Sequence, residues 1–535
     1  MQTNEGERII LKENLVIFLQ RLKNLPNCLN KKEKIVILSL LGIILISSLI
    51  SIKGNKTKKI IPNFNKTFVE GEVGDIRCLV PILPQNDIEK DISRLIFSSL
   101  IKFNDKREIV PDLAEKWEIA PDGKTYTFVL KNSKWQDGEK ITADDVVFTF
   151  SQIKNSQIQS QYFDTFSKIE VAKKDDRTVS FSLPKPYAPF LSSLTVPILP
   201  KHALSTSGRL MDSPFAKKPI GSGPFKLDKI EQNRNTITVT LKSNSDYFGG
   251  KPKLDKFIFN IYASIDEAET AFVQKDIQGL LDGQQGEGKF YQTKLPNIKA
   301  LNFNLDKPYL TRDLRKALAL AINRDEILSS GISGEKIYFP ILPGFLGYPV
   351  SPSQGGKESE KYDFNLEQAK KSFAKAKNKP ADIVLLAKFD ESSQKIAEIL
   401  KKEWEPLGIK IDIQNSDNGS DEYDIVLTGV NQKADPDPYP FWHSSQIKDG
   451  GLNFSNYKNK EVDKLLEDGR QTLDNNVRQQ KYEKFVDIIS ADVPAIFLYQ
   501  NINKYHVSDN IEGVGDILGV TGADRFNNII NWDIK

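Results

Sequence analysis

Residues 35–52, IVILSLLGIILISSLISI, are eighteen successive positions without a charge. At about 1.5 Å of rise per residue, a helix of this length reaches across the hydrocarbon core of a bilayer. A buried helix of a globular protein would carry a polar stripe, and Ser39, Ser47, Ser48 and Ser51 do not form one. The run therefore predicts a membrane-embedded segment. The 34 residues before it are long for the leading region of a signal peptide, and no small-x-small cleavage motif precedes the basic stretch Lys53-Gly-Asn-Lys56-Thr-Lys58-Lys59. Cys28 precedes the apolar run, away from where a lipoprotein acylation site would stand. The expectation is a retained single-span anchor: a short segment 1–34, a transmembrane helix 35–52, and a tether 53–66.

Charge does not orient this anchor. Five bases lie within twenty residues on its N-terminal side and five on its C-terminal side, so the positive-inside rule is tied. Either orientation puts Cys28 and Cys78 on opposite sides of the membrane and forbids a disulfide within the chain. The overall net charge of +3 is carried by residues 1–34, with seven bases and four acids; beyond residue 59 there are 63 bases against 67 acids, a net of −4. The basic surplus thus flanks the membrane, where anionic headgroups can meet it. No nucleic-acid partner is expected. With 39% hydrophobic and 27% charged residues, the chain is not disordered as a whole. Two cysteines exclude a disulfide scaffold, a structural zinc cluster and an iron–sulfur protein, and the three histidines are far apart. No metal and no cofactor is expected.

After the tether, two patterns alternate without a repeat. KTYTFVL (124–130) and RTVSFSL (177–183) have the period-two pattern of half-buried strands. In 311–322, Leu314, Ala317, Leu318, Ala321 and Ile322 share one helical face, with Thr311 as its N-cap. Residues 382–430 read as a β-α-β unit with an added strand: strand 382–386, helix 393–404, strands 408–413 and 423–427. Helices at about 461–472 and 476–490 and an apolar strand at 495–499 follow. This mixture over some 470 residues indicates a multi-lobed α/β or α+β architecture.

Catalytic constellations do not assemble. Gly283-Gln-Gln-Gly-Glu-Gly288-Lys289 is one residue type short of a phosphate-binding P-loop, because Phe290 stands where Ser or Thr would hold magnesium; a surface loop accounts for it. His202, His443 and His506 form no ligand spacing. Ser222 lacks the spacer and final glycine of a nucleophile elbow. Asp435 and Asp437, two apart on a proline-rigid loop, could meet a cation or amine or simply make Asx turns. Tyr439, Phe441, Trp442 and His443 put three aromatics and a donor on an irregular stretch after a strand, suited either to a pocket wall or to packing.

A collinear series of segments resembles the family 5 extracellular solute-binding proteins of ABC importers, the oligopeptide- and dipeptide-binding type. It runs through PDGKTYTFVL (121–130), KWQDGEKITADDVVFTF (134–150), PKHAL (200–204), PIGSGPFKL (219–227) and NSDYFGGKPKLD (244–255). It continues with Phe303-Asn304, 314–324, DPDPY (435–439), WHSS (442–445) and YKNKEVD (457–463), covering about 75–500. Within it, Thr142 reads as an N-cap with Asp145 near the positive helix terminus, and Trp135 and Gly138 as structural. The resemblance implies an α/β periplasmic-binding-protein-like fold of two lobes with a hinge and an inserted third domain, preceded by the transmembrane helix. Lobe I would comprise about 60–92, 195–303 and 497–535, the insert about 93–194 and lobe II about 304–496, within a solute-binding domain 67–535.

The same resemblance implies capture of a peptide-like solute without catalysis, and delivery to the permease subunits of an ABC importer. It places 1–34 in the cytoplasm and 53–535 outside the cell membrane. A membrane-tethered sensor or a secreted hydrolase would be the alternatives. The implied ligand-binding positions are Gln432, Asp435, Asp437, Tyr439, Trp442 and His443. One departure stands out: where peptide-binding members carry an aspartate for the ligand's α-ammonium, just before the Asp-Pro loop, this chain has Gln432 or Lys433. A free amino terminus would then fall to Asp435 or Asp437, or go unread. On this reading Asp435→Ala and Trp442→Ala weaken ligand binding and leave the fold intact.

Overall fold

A computed structural model describes residues 66–204, 209–234, 236–349, 361–416, 422–448 and 450–535. The expected anchor at 35–52 and the segment 1–34 lie outside the described residues, as does all of the tether but Lys66. Among the described residues, no helix is long and apolar enough to cross a membrane.

The organising element is one large mixed sheet. Its main path uses β1 (Thr67–Val73), β2 (Phe225–Gln232), β3 (Thr236–Ser243), β4 (Lys256–Tyr262), β5 (Gly279–Leu281), β6 (Lys289–Phe303), β7 (Asp382–Ala387), β8 (Lys410–Asn415), β9 (Ile425–Asn431) and β10 (Ala495–Val507). They lie in the order β8-β7-β9-β6-β10-β5-β1-β4-β3-β2, and the short strands Gly334–Lys336 and Ile517–Leu518 pair with β10 and β6. β6 and β10, of 15 and 13 residues, run antiparallel from the Lys289–Val507 pair to the Asn302–Ala495 pair. Between Lys294 and Ile298 β6 advances four residues while β10 advances two, from Ile502 to Gln500. Pro296 sits in that break, where a residue without an N–H costs no ladder bond.

The two ends of this strand pair serve different cores. β1, β2, β3 and β4 pack Phe68, Phe225, Leu241 and Phe257 into one cluster, which also holds Tyr505 and Trp532. The far end of β6 splits its alternating side chains between two others. Leu301 and Phe303 join Leu314, Ile383, Ile396 and Trp404. Ile298 and Ala300 join Trp442, Tyr482, Phe485 and Phe497 on the opposite face.

The β-α-β unit is present: β7 pairs parallel with β8 and with β9, and helix Glu391–Trp404 buries Ile396, Ala397, Leu400 and Trp404. The turn Glu405–Leu407 ends at Gly408 with φ +78°, a left-handed position that glycine takes without a Cβ penalty. Residues 312–320 form the expected helix, yet the Thr311 hydroxyl makes no cap bond and is buried without a partner among the described residues. At Thr142 the reciprocal half of the capping box is present, with the Thr142 N–H donating to Asp145 Oδ2 at 2.8 Å. A separate antiparallel sheet (114–119, 125–130, 178–182, 170–173) points Tyr126, Phe128 and Phe181 inward. There Phe128, Phe150, Phe166, Phe181 and Phe190 meet mainly edge-on, and this core is continuous with that of β1. Cys78 is buried and has no disulfide partner among the described residues.

Candidate functional site

β9 ends at Asn431, and the next residues cannot continue the ladder because Pro436, Pro438 and Pro440 lack an N–H. The chain instead leaves the sheet as a loop, anchored at its start by the Gln432 N–H on the Pro296 carbonyl at 2.7 Å. It closes into the single helical turn Tyr439–Trp442. The loop separates two cavities. One, of about 470 Å³, is lined on this side by Asn431, Gln432, Lys433 and Ala434. The other, of about 870 Å³, is lined by Lys433, Tyr439, Glu467 and Arg470 and, from far earlier in the chain, by Tyr187 and Phe190.

The six expected binding positions have different fates along this loop. Asp435 is held by Arg478 in a two-pronged ion pair, Nη1 to Oδ2 at 2.9 Å and Nη2 to Oδ1 at 2.5 Å. Asp437 Oδ2 accepts from Arg470 Nε at 3.1 Å and Nη2 at 2.8 Å and from the Tyr187 hydroxyl at 2.9 Å. Tyr439 has the Arg470 guanidinium 4.1 Å from its ring centroid on one contact and stacks on His443 at 4.1 Å on another. His443 is itself buried, with Nδ1 2.8 Å from Ser445 Oγ and Nε2 3.2 Å from Glu467. Trp442 is 5% exposed and packs among Tyr457, Phe485 and Phe497. Gln432 lies on the wall of the smaller cavity; its Nε2 donates to the Pro340 carbonyl, and its Oε1 is buried without a partner among the described residues. Thus Gln432 and Tyr439 line cavities, the two aspartates are committed to arginines, and Trp442 belongs to a core.

The smaller cavity's other wall was not singled out from the sequence. β1 has Phe68, Glu70 and Glu72 on one face by strand alternation. Helix Asp87–Ile96, started by a capping box between Asn86 and Glu89, turns Asp91 toward the same place. Arg525, in the turn Gly522–Phe526, meets all three carboxylates: Nη2 lies 3.0 Å from Glu70 Oε1, 2.6 Å from Glu72 Oε1 and 2.6 Å from Asp91 Oδ2. Tyr505 donates to Glu70 Oε2 at 2.5 Å. Burial pushes the Glu70 carboxyl up to about 7, against the pull of Arg525 and the Tyr505 hydroxyl. Glu72 is raised well above the usual carboxylate range, first by burial and then by the charge of Asp91. Burial also opposes charge on Arg525, but the three carboxylates outweigh it and hold the guanidinium well above its ordinary range. Glu72, Asp91 and Arg525 line the cavity, while Glu70 lies fully buried behind them. The one readable signal was the pair of acids two apart in a strand, on the face that also carries Phe68.

Residues 108–451 match the model of the bacterial extracellular solute-binding proteins, family 5. The chain belongs to that family. Relatives span nearly its whole length. The oligopeptide-binding protein AppA of Bacillus subtilis is 29% identical over 500 residues, covering 84% of this chain and 89% of the relative. The dipeptide-binding protein of Escherichia coli is 26% identical over 519 residues, 87% and 94% of the two chains. The solved structure of Bacillus subtilis AppA in complex with a nonapeptide superimposes with a TM-score of 0.67 at 27% identity, covering 88% of this chain and 99% of that one. The fold is therefore the α/β architecture of periplasmic-binding proteins. In this family 5 protein the P-loop-like segment is the connection from β5 to β6, with Gly286 at φ +106° and Phe290 stacked on His506.

Proposed function

We propose that this family 5 protein is the extracytoplasmic substrate-binding component of an ABC importer, capturing peptide-like solutes and passing them to a permease. One observation carries the reading: the cavity of about 470 Å³ draws its walls from two different parts of the sheet. Glu72, Asp91 and Arg525 stand at the β1 end and Asn431, Gln432 and Lys433 at the β9 end. The β1 and β9 ends are joined through the β6–β10 pair, whose ladder is interrupted at Leu295–Asn297. A lobe I of about 60–92, 195–303 and 497–535 and a lobe II of about 304–496 close on the ligand by bending there. The insert of about 93–194 stays with lobe I through their common core. Closure is driven by ligand contacts made to both walls at once, which the open form cannot make.

That these relatives are an oligopeptide-binding and a dipeptide-binding protein supports a peptide-like ligand. Residues 35–52 anchor the chain, with 1–34 in the cytoplasm and 53–535 outside; the charge-free run supports the span, and membership of an extracellular solute-binding family supports the orientation. No reaction is assigned to the site. Mass spectrometry of solutes co-purifying with the full-length chain tests the ligand class, with short peptides expected and a uniform non-peptide solute overturning it. Protease treatment of intact cells tests the topology: the large domain is digested, and complete protection refutes the orientation.

A further inference from the structure

One hydroxyl bridges the two cores at opposite ends of the β6–β10 pair. Tyr187 lies just ahead of the turn Ala188–Leu194, whose Phe190 is part of the core shared with Phe68 of β1. The Tyr187 carbonyl accepts from the hydroxyl of the fully buried Tyr126 at 3.4 Å, which fixes it to that body. Asp437 and Arg470 belong to the other body. Arg470 stands in the last turn of helix Lys460–Gln471, whose Val462 and Leu466 pack in the core of Trp442. The Tyr187 hydroxyl donates to Asp437 Oδ2 at 2.9 Å. The Arg470 guanidinium lies 5.2 Å from the Tyr187 ring centroid and 4.1 Å from that of Tyr439, so it meets an aromatic ring of each body.

The contact has the properties of a reversible latch. Burial raises the Tyr187 hydroxyl well above its ordinary value and the Asp437 charge adds to this, so the group keeps its proton and donates. If the bodies separate, Asp437 keeps both Arg470 bonds, because those donors move with it. Separation breaks only the tyrosine's hydrogen bond and ring contact, and water replaces the hydroxyl. One term opposes the latch: Asp437 is 8% exposed, and its Oδ1 is buried with no partner among the described residues. An unsatisfied buried oxygen is costly, and opening admits water to it. A second contact supports the latch. Leu473 fits over the turn at Gly123 so closely that a Cβ there would come within 2.9 Å of its Cδ1. Arg107 also joins the two bodies, with Nη2 donating to the Lys294 carbonyl at 3.1 Å and the guanidinium 4.2 Å from the Phe345 ring centroid. That contact sits at the break itself, where bending changes distances least.

Resting on the hinge reading above, we propose that Tyr187 is a positioning residue for closure: its hydroxyl, set on the Asp437–Arg470 pair, holds a fraction of the chain closed before a solute arrives. Every bond in the latch runs between the chain's own side chains, so it needs no ligand atom. The unsatisfied Oδ1 works against it, which keeps open and closed forms in balance. A solute then selects a closed form that is already populated, and the closed fraction scales its apparent affinity.

The test uses the full-length chain carrying Cys28→Ser, Lys174→Cys and Val477→Cys, spin-labelled at these two exposed positions, one on each body, while Cys78 stays buried. Pulsed dipolar spectroscopy reads the ratio of long to short label separation, first without solute and then with a peptide retained from a pool of random tri- to nonapeptides. Without solute, Tyr187→Phe is expected to raise the ratio of open to closed at least about fivefold, through loss of one hydrogen bond to a charged group. The peptide is expected to drive both proteins to the short separation. A ratio equal in wild type and Tyr187→Phe, or the long separation alone in free wild type, with peptide still shortening it, overturns the latch and leaves hinge closure in place. One separation throughout, unchanged by peptide or variant, overturns hinge closure and the latch with it. If no peptide is retained the peptide reading fails, and the ratio without solute still decides the latch. Tyr187→Phe keeps the ring, and an unchanged melting temperature separates lost closure from lost folding.

Discussion

Arg478 is 2% exposed, and Asp435 is its ion-pair partner. Removing the carboxylate strands a buried guanidinium, a change that costs about 3–5 kcal/mol. Asp435→Ala is therefore expected to lower the urea midpoint substantially, in contrast to the intact fold anticipated from sequence. Equal midpoints for Asp435→Ala and wild type would refute the role of the pair. Glu70 gives a pH dependence of definite sign. Its carboxyl, held up to about 7 from an ordinary 4.5, keeps its proton in the folded chain over a range where the unfolded chain has lost it. Between those values the folded state binds more protons, so its contribution to stability is full at low pH and declines as pH rises toward 7. Glu403, also raised to about 7 by burial, acts in the same direction. His506, whose pKa burial lowers, acts in the opposite one. Melting temperatures of wild type and Glu70→Gln from pH 5 to 7.5 isolate the share of Glu70: the variant loses part of the decline. Identical slopes would show that Glu70 does not titrate in that range.

At the scale of elements, the short helix Tyr439–Trp442 is pinned from below by Trp442, whose ring contacts Tyr457, Phe485 and Phe497. Trp442→Ala opens a cavity in that cluster and is expected to cost about 3–5 kcal/mol in chemical denaturation. A loss of ligand affinity at unchanged stability would place Trp442 back in the pocket. β5 depends on a close approach: a Cβ at Gly279 would collide with Glu70 Oε2, the Tyr505 hydroxyl and Phe68. Gly279→Ala should therefore destabilise the chain by about 1–3 kcal/mol through overpacking, checked by the same unfolding measurement. Much of this level could be read ahead of the coordinates. Alternation in 124–130 became the burial of Tyr126, Phe128 and Leu130. The apolar face of 311–322 became the buried Leu314, Ala317 and Leu318. The strand at 495–499 was read eight residues too short, because Gln500–Val507 owes its extension to pairing with β6 and β5 and not to its own apolar pattern.

For the molecule as a whole, bending at the β6–β10 break predicts a smaller radius of gyration in X-ray scattering when a retained peptide is bound. A radius that does not change with saturating ligand would argue against hinge closure. The loop after β9 was legible because prolines and aromatics are local signals, and so was the absence of an acid at Gln432 and Lys433. The commitment of Asp435 and Asp437 was not, since Arg478 and Arg470 come from helices that follow later in the chain. What sequence alone determined was whatever depends on neighbours in the chain: strand and helix periods, turns, the charge-free run at 35–52, and the collinear motifs of the family. What only the tertiary structure decided was the partner of each charge. Glu72 and Asp91 stand more than 300 residues before Gln432 and Arg525 in the chain, and the four meet only because β1, the helix of Asp91, the end of β9 and the C-terminal turn converge on one cavity. No local pattern encodes that meeting, and burial then alters the acids it brings together.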